Sequence, residues 1–245
     1  MTGASRGIGR GIALRLARDG ALVAVHYATN ASAARETVTL IEQEGGRAFA
    51  LGARLGAPGA ADELFASLTG ELDARTPDGA LHILVNNAAH AGFRGAMPDE
   101  VTEEMLDTYF AVNAKAPFLL TRKALETMPP GGRVINISSG MTRAAVPPQI
   151  AYAMSKGALE QITLHLAPVA AEKGITINTV APGVTNNGDP VFDDPESVRE
   201  MSGLSVFRRV GEVADIADIV AFVASDASRW ITGSFIDATG GTLLG

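Results

Sequence analysis

The chain has 245 residues, 47% of them hydrophobic, which is enough to bury a sizeable core. Its formal net charge of -7, without a long basic run, argues against nucleic acid or an anionic membrane as partner and favours a small molecule. The sequence contains no cysteine, which excludes disulfides and thiolate metal sites, and its 4 histidines show no ligand spacing, so we expect no metal.

Targeting signals and internal boundaries are absent from the sequence. No run of about 18 apolar residues suggests a membrane-spanning helix, and the N-terminus lacks the layout of a signal peptide, so we expect a cytoplasmic protein. No linker, repeat or low-complexity tract interrupts the sequence, and we predict a single domain over residues 1–245.

Short apolar runs alternate with longer segments whose apolar residues recur at helical spacing. The runs are continuously apolar, which is typical of parallel strands that helices cover on both faces. We therefore predict an α/β protein with a doubly wound parallel sheet and with ligands at the carboxyl ends of its strands. In chain order, the predicted elements are helix 8–19, strand 21–27, helix 31–44, strand 47–53, helix 60–74, strand 81–87, helix 101–127, strand 132–139, helix 152–173, strand 174–182, helix 212–225 and strand 233–241.

A glycine-rich turn opens the chain and leads straight into the first predicted helix. Its sequence is Thr2-Gly3-Ala4-Ser5-Arg6-Gly7-Ile8-Gly9. Glycines let the backbone turn sharply and approach a pyrophosphate, which the free N–H groups of a helix N-terminus then hold. The alternative is a glycine-rich connection without a ligand, and the turn alone does not decide between the two.

The T-G-x-x-x-G-x-G spacing of this turn resembles the short-chain dehydrogenase/reductase family, in particular its NADP-dependent members similar to 3-oxoacyl reductases. The resemblance covers nearly the whole chain and implies a Rossmann-type fold and, as in many relatives, a homo-oligomer, either tetramer or dimer. Further matching segments follow in the family's order: NNAA (86–89), VNA (112–114), INISS (135–139), YAMSK (152–156), INTVAPG (177–183) and ITGSFIDATGG (231–241).

The residues around the predicted cofactor favour NADP over NAD. No carboxylate lies between Asp19 and Glu36, so no acidic group after the strand that ends at Tyr27 would repel a 2′-phosphate. Arg6 offers that phosphate a permanently charged guanidinium. Further candidate partners of the phosphate are Ser5, His26 and Asn30.

The resemblance also implies the other residues along the cofactor. Arg54 stands where relatives usually carry an aspartate that reads the adenine, so adenine recognition stays open. Asn187 stands where relatives usually carry a threonine, and its role stays open too. The implied cofactor-binding residues are Gly3, Ser5, Arg6, Gly7, Ile8, Gly9, Asn86, Ala88, Tyr152, Lys156, Pro182, Gly183, Val184 and Thr185.

Tyr152 and Lys156 lie four residues apart in one predicted helix, so their side chains share a face. A free tyrosine has a pKa near ~10, and an ammonium about 4 Å away at an effective dielectric of roughly 20 would lower it by some three units. We therefore expect Tyr152 to act as an acid/base. Strand alternation points either Ser138 or Ser139 to the same place, and the family spacing selects Ser139.

Asn113 is the fourth predicted catalytic residue. Pro117 lacks an N–H, so it cannot bond the carbonyl of Asn113 four residues earlier. The resemblance implies that this asparagine holds a water linked to Lys156, which holds the nicotinamide ribose, while Ser139 and Tyr152 polarise a carbonyl. The predicted function is NADP-dependent interconversion of a ketone and a secondary alcohol. The alternative is a non-catalytic dinucleotide-binding sensor or regulatory protein.

The stretch 183–210 carries no predicted element, and an irregular loop of this length is usually functional, so we predict a substrate lid over about 184–207. The pocket is mostly apolar, and the nearby cations Arg133 and Lys173 are too few to suit an acidic acyl-carrier protein. We favour a free ketone or a polyketide-like intermediate as substrate. The acids expected on a solvated face of the lid are Asp189, Asp193, Asp194 and Glu196. The predicted lining consists of Ala89, His90, Phe93 and Met97, the loop 140–149, and Val191, Phe192, Met201, Leu204 and Phe207.

No apolar strand precedes the glycine-rich turn, although relatives begin with about eight further residues that form the central strand of a sheet ordered 3-2-1-4-5-6-7. Its loss would leave a void under the helices. Either the natural chain is longer than this one, or another segment fills the gap. If the chain starts at Met1, we expect weakened cofactor affinity.

Overall fold

Helices and strands alternate along the chain as the apolar pattern predicts. The structure is a computed structural model that describes residues 1–91 and 95–244. The strands are β1 (Leu22–Tyr27), β2 (Arg47–Gly52), β3 (Ile83–Asn86), β4 (Arg133–Ile137), β5 (Thr176–Pro182), β6 (Thr185–Asn186), β7 (Gly211–Glu212) and β8 (Phe235–Ala238). The helices are α1 (Gly7–Arg18), α2 (Ala31–Gln43), α3 (Ala60–Arg75), α4 (Glu103–Phe110), α5 (Ala116–Thr127), α6 (Ile150–Ala171), α7 (Pro195–Leu204) and α8 (Val213–Ala224), with a π-helical turn at Ala111–Lys115.

The strands pair in parallel, with β2 beside β1 and with β3, β4, β5 and β8 in that order. Helices cover both faces. One hydrophobic cluster joins β1 to α1 and α8 through Val25, Ile12 and Val220. A second cluster contains Leu64 of α3 and Leu120 of α5. The doubly wound α/β prediction is therefore confirmed. Within the described residues, no helix is long and apolar enough to cross a bilayer.

Residues 1–4 lie between β1 and β3, where the central strand of such a sheet belongs. The Thr2 N–H donates to the Val85 carbonyl of β3 at 3.0 Å, and the Met1 carbonyl accepts from His26 of β1 at 3.1 Å. The Met1 amine donates to the Ala24 carbonyl at 3.2 Å. No strand is assigned to residues 1–4, and β1–β2 and β3–β4–β5–β8 form separate sheets, so the first central strand is truncated as predicted. Hydrogen bonds from residues 1–4 nevertheless link β1 to β3.

An apolar cavity of about 80 Å³ lies beside Met1, between the first halves of β1 and β3. Its walls include Leu22 and Ala24 on one strand and Ile83 and Val85 on the other. Burial lowers the pKa of the Met1 amine to about 6. The predicted void is thus present, and the buried Met1 amine borders it.

The stretch 183–210 is more ordered than predicted. It contains β6, a 3₁₀ turn at Pro190–Asp193 and α7, and β7 follows directly after it. Asp194 caps α7 by accepting from the Ser197 N–H at 3.0 Å, and Pro195 occupies the first turn. None of the residues of α7 is buried, so the helix has no apolar stripe to reveal it in the sequence. The Asp189 side chain likewise caps the 3₁₀ turn, so two of the four lid acids have structural roles.

Candidate active site

The carboxyl end of β4 and the first turns of α6 bring Ser139, Tyr152 and Lys156 together. Ser139 follows β4, and its Oγ accepts from the Met141 N–H at 3.2 Å. Its side chain also hydrogen-bonds the Tyr152 hydroxyl. The Lys156 Nζ donates to the Ile137 carbonyl at 2.7 Å and lies 5.8 Å from the centroid of the Tyr152 ring. Two hydroxyls and a buried ammonium therefore meet at the edge where doubly wound sheets bind ligands.

Ser138 points the other way, as strand alternation requires. Its Oγ donates to the Glu160 carboxylate at 2.6 Å, and the residue is 3% exposed. Of the two candidate serines, Ser139 is the one that reaches Tyr152.

Burial is the largest influence on the pKa values of Tyr152 and Lys156. It raises the pKa of Tyr152 to about 12, against the opposing hydrogen bond of Ser139, and the nearby Tyr109 raises it further. Burial also lowers the pKa of Lys156 to about 8. The expectation that Lys156 lowers the Tyr152 pKa by three units is therefore wrong. Burial disfavours both the phenolate of Tyr152 and the ammonium of Lys156, and that ammonium donates its hydrogen bond to the Ile137 carbonyl. Tyr152 is therefore a neutral phenol that holds its proton.

Asn113 is fully buried in the π-helical turn, and its side chain ties three segments together. Its amide oxygen accepts from the His90 N–H at 2.7 Å, and its amide nitrogen donates to the Ser155 hydroxyl at 2.9 Å. Ser155 in turn donates to the Tyr152 carbonyl at 2.7 Å. The side chain is thus committed to structure, and Pro117 offers the Asn113 carbonyl no N–H four residues later.

Sequence reasoning missed Tyr109, which is buried on α4. Its ring meets the His90 ring edge-on at 5.0 Å and the Tyr152 ring edge-on at 6.2 Å. Tyr109 lies one helical turn before Asn113, and that spacing is the signal that could have revealed it. An aromatic wall therefore stands beside the Tyr152 phenol.

The glycine-rich turn is held in shape by groups from the sheet. The Asn87 amide donates to the carbonyls of Thr2 and Gly3, both at 3.0 Å, and the Thr2 hydroxyl accepts from the N–H groups of Asn87 and Ala88. Gly3 has a φ of +62°, and a Cβ there would lie 2.8 Å from the Ala88 Cα. Only glycine fits so close to β3, and Asn87 is a second residue that sequence reasoning missed.

His26 anchors the turn from the opposite side. The Gly3 N–H donates to its Nδ1 at 3.1 Å, so Nε2 carries the proton and donates to the Ala53 carbonyl at 3.0 Å. Burial lowers the pKa of His26 to about 4. The expectation that His26 helps to bind a 2′-phosphate is therefore wrong, because both ring nitrogens are used inside the fold.

The remaining candidate phosphate partners differ in availability. The Asn30 side chain caps α2 by accepting from the Ala33 N–H at 2.9 Å. The Ser5 carbonyl accepts from the Arg10 guanidinium at 2.8 Å, which fixes the turn against α1. Arg6 is exposed, and within the described residues its side chain has no hydrogen bond or ion pair. Arg6 is therefore a free cation at this end of the site.

Two further predicted cofactor residues have side chains that point into the fold. Asn86 is 2% exposed, and its amide donates to Asn136 at 2.9 Å and to Thr121 at 3.1 Å. Ile8 packs against the hydrophobic cluster beneath α1. The Asn86 side chain is therefore committed to the fold, and the cofactor contacts expected of Asn86 and Ile8 stay predictions.

The other end of the predicted cofactor groove is formed where β5 ends. Pro182 is its last residue, and a Cβ on Gly183 would lie 2.7 Å from the Thr239 carbonyl oxygen. The Val184 carbonyl accepts from Gly211, and the buried Thr185 hydroxyl donates to the Gly183 carbonyl at 3.2 Å. The segment predicted to be a lid therefore leaves the sheet through a closely packed corner.

The lid then passes over the glycine-rich turn. A Cβ on Gly7, whose φ is +54°, would lie 3.1 Å from the Asn187 carbonyl oxygen. Asn187 thus lies directly against the turn.

The predicted substrate loops also meet one another. The Ala96 N–H donates to the Pro148 carbonyl at 2.8 Å, which joins residues 95–97 to the loop 140–149. The Val206 N–H donates to the Gly240 carbonyl at 3.1 Å and fastens the end of the lid. Met97, Leu204 and Phe207 are exposed apolar side chains on these segments. Phe93 lies outside the described residues.

A dinucleotide suits the residues at the start of α1. The N-cap Arg6 makes no side-chain capping bond, and the first turn of α1 carries no acidic residue. The N–H groups at the start of α1 are therefore available to an anionic phosphate. Within the described residues, no cluster of histidine and acidic side chains could hold a metal. The fold and the Ser139–Tyr152–Lys156 group together define a dinucleotide-dependent oxidoreductase.

Comparison with known proteins identifies the family. A family model described as enoyl-(acyl carrier protein) reductase matches residues 3–242. A short-chain type dehydrogenase/reductase of Picea abies is 37% identical over 251 residues, which cover 98% of this chain and 90% of the relative. The chain belongs to the short-chain dehydrogenase/reductase family and is an NAD(P)-dependent oxidoreductase, as predicted.

Solved structures of ketoreductases resemble the chain closely. The promiscuous reductase LugOII, which catalyses keto-reduction at C1 during lugdunomycin biosynthesis, is 63% identical with a TM-score of 0.97, over 99% of this chain and 96% of that one. The angucycline C-6 ketoreductase LanV with bound NADP is 57% identical with a TM-score of 0.96, over 100% and 94%. A structure of LanV with NADP and rabelomycin is 56% identical with a TM-score of 0.93, over 100% of this chain and 95% of that one.

Proposed function

We propose that this chain is an NADPH-dependent ketoreductase in which Tyr152 donates the proton, and that it reduces a ketone of a polycyclic aromatic polyketide. The observation that carries the proposal is the hydrogen bond between the Ser139 and Tyr152 hydroxyls beside the buried ammonium of Lys156. A non-catalytic sensor would have no need of a neutral phenol, a second hydroxyl and a buried cation in one place.

The preference for NADP rests on charge. Arg6 is free and exposed beside the start of α1, and β1 ends at Tyr27 without a carboxylate to repel a 2′-phosphate. LanV, a ketoreductase closely similar in sequence and structure, binds NADP. The glycine-rich turn would hold the pyrophosphate and Lys156 the nicotinamide ribose. When bound, the reduced cofactor supplies the hydride.

Tyr152 supplies the proton in the proposed reaction. A carbonyl oxygen that gains negative charge during reduction would accept hydrogen bonds from the Tyr152 and Ser139 hydroxyls. A phenol whose pKa is about 12 holds its proton until that charge develops. The positive charge of Lys156 then stabilises the phenolate that remains, and water at the Asn113 carbonyl returns a proton.

The substrate class follows from the walls of the pocket and from the relatives. Tyr109 and His90 give the site an aromatic side, and apolar side chains lie on the lid. LugOII catalyses keto-reduction at C1 during lugdunomycin biosynthesis, and LanV is an angucycline C-6 ketoreductase that binds rabelomycin in one of its structures.

An acyl-carrier protein finds no basic surface in the two cations that the sequence offered. The Arg133 guanidinium is buried and bonded to Asp226 and to backbone carbonyls. The Lys173 ammonium donates to the Leu125 carbonyl at 2.6 Å. A free substrate therefore fits better than a carrier-bound one.

The test compares wild-type protein with Tyr152→Phe on rabelomycin and on simple ketones. We expect wild-type turnover with NADPH, and a fall of about 10²-fold or more in the variant, with NADPH binding unchanged by fluorescence. NADPH binding without turnover of any ketone by the wild type would instead support a sensor.

We further propose that the chain forms a homo-oligomer, either tetramer or dimer. Phe118 on α5, Met154 and Leu164 on α6, and the 97% exposed Trp230 give the surface unusual apolar area. Light scattering with size-exclusion chromatography measures the mass directly. A monomer at all concentrations would contradict this part of the proposal.

A further inference from the structure

Glu160 is a carboxylate that the proposed reaction does not use. It lies on α6, with a side chain only 14% exposed. Its Oε1 accepts from the Ser138 hydroxyl at 2.6 Å, and its Oε2 lies 3.5 Å from the Arg143 guanidinium. A carboxylate this far from water needs such partners. The partners therefore show what the charge holds in place.

Both partners of Glu160 belong to the segment that carries Ser139. Ser138 precedes Ser139 directly, and because neighbouring side chains point to opposite sides of a strand, holding Ser138 on Glu160 aims Ser139 at Tyr152. Arg143 lies in the loop after β4, and its guanidinium also covers the Phe235 ring of β8 at 4.1 Å. Glu160 thus connects α6, the end of β4 and the loop that follows.

Glu160 also acts on Lys156 through charge. The two residues are one helical turn apart on α6, with Glu160 the later of the pair. The negative charge of Glu160 raises the pKa of Lys156, against the burial that lowers it to about 8. Arg143 from the loop after β4 is a second cation beside Glu160, and the neutral Tyr152 faces Lys156 from the preceding turn.

We propose that Glu160 is a positioning residue for the reduction, which keeps Lys156 protonated and holds the Ser138–Ser139 segment in line with Tyr152. This inference rests on the proposed roles of Tyr152 and Lys156.

Opposite charge changes test the proposal. Glu160→Gln keeps an oxygen for Ser138 but removes the negative charge, whereas Arg143→Gln removes the competing positive charge. The chain has four lysines, so ¹³C NMR of labelled lysine can follow the titration of Lys156 without turnover. The matched control is Glu172→Gln at the exposed end of α6.

We expect the pKa of Lys156 to fall by about half a unit or more in Glu160→Gln and to rise in Arg143→Gln, with no change in the control. The basic limb of the pH profile of kcat should move in the same two directions. Unchanged Lys156 titration in a folded Glu160→Gln variant would overturn the inference. Full activity of Tyr152→Phe would overturn the proposed function instead, whatever Glu160 does.

Discussion

Tyr152 and Lys156 are both buried, and burial pushes their pKa values in opposite directions. For a proton donor this is an advantage, because the phenol keeps its proton until the substrate oxygen needs it. For the lysine it is a cost in stability, because the unfolded chain binds the same proton more tightly. The burial that suits Tyr152 as a proton donor therefore lowers the stability of the fold at Lys156.

Lys156→Met should stabilise the fold while it abolishes turnover. The Lys156 pKa is lowered from 10.5 to about 8, so the unfolded chain binds more protons between these values and this group's penalty is complete below pH 8. That shift corresponds to about 3 kcal/mol, against about 1 kcal/mol for the lost bond to Ile137. We expect the Tm to rise by about 4–8 °C at pH 7, measured by thermal unfolding.

The exposed Lys173 provides the control for this prediction. Its ammonium also donates to a backbone carbonyl, that of Leu125, but the residue is exposed. Lys173→Met should leave the Tm unchanged or slightly lower. A lower Tm for Lys156→Met than for the wild type would contradict the prediction, because it would show that the interactions of the Lys156 ammonium outweigh the cost of burying it.

Separate elements are joined at the glycine-rich turn by single side chains. His26 of β1 binds Gly3 at one ring nitrogen and Ala53, just after β2, at the other. The phosphate end and the adenine end of the predicted cofactor groove therefore share one support. Because Arg54 directly follows Ala53, the bond from His26 to Ala53 also helps to fix the position of Arg54.

His26→Phe should weaken NADPH binding about tenfold, because the Gly3 N–H and the Ala53 carbonyl both lose a partner inside the fold. His26→Asn should recover part of the affinity by restoring an acceptor near Gly3. Fluorescence titration of NADPH measures both, with the exposed His165→Phe as control. Since the His26 pKa is about 4, the affinity should show no His26 titration between pH 6 and 8, and equal affinity in all variants would contradict the idea.

The predictable elements are those that bury an apolar stripe. Helix α1 and strand β5 follow from periodicity because their buried residues recur on one face or run unbroken. Helix α7 buries nothing, so only its Asp-Pro start announces it.

At the site, local spacing in the sequence predicted some residues and missed others. Tyr152 and Lys156 were found because they lie one turn apart. Asn87, His26 and Glu160 were missed or misassigned, because their roles depend on hydrogen bonds between segments that the sequence keeps far apart. The Tyr152 pKa was misjudged because sequence gives no measure of burial.

For the molecule as a whole, the seam between β1 and β3 combines two destabilising features, a cavity and a buried amine. Residues 1–4 bond both strands, yet a cavity of about 80 Å³ remains beside them and the Met1 amine is buried. The empty volume corresponds to about 2 kcal/mol, and lowering the amine pKa by about two units to a further 3 kcal/mol below pH 6. Both effects act on the strand that carries the glycine-rich turn.

An added N-terminal segment of about eight β-branched residues should therefore stabilise the protein. It would fill the cavity and pair with both strands, and it would convert the Met1 amine into an amide. We expect the Tm to rise by about 5–15 °C and NADPH to bind more tightly, measured by thermal unfolding and fluorescence titration.

The pH dependence distinguishes this explanation from a general effect of added length. The folded-state pKa of the Met1 amine is about 6, below its usual 8.0, so the unfolded chain binds more protons between pH 6 and 8. Stability of the chain that starts at Met1 should therefore fall as the pH drops through this window, and the extended chain should lose that slope. A glycine-serine extension of equal length should abolish the slope without raising the Tm as far, because it leaves the cavity unfilled. Equal gains from both extensions would show that the cavity does not limit stability.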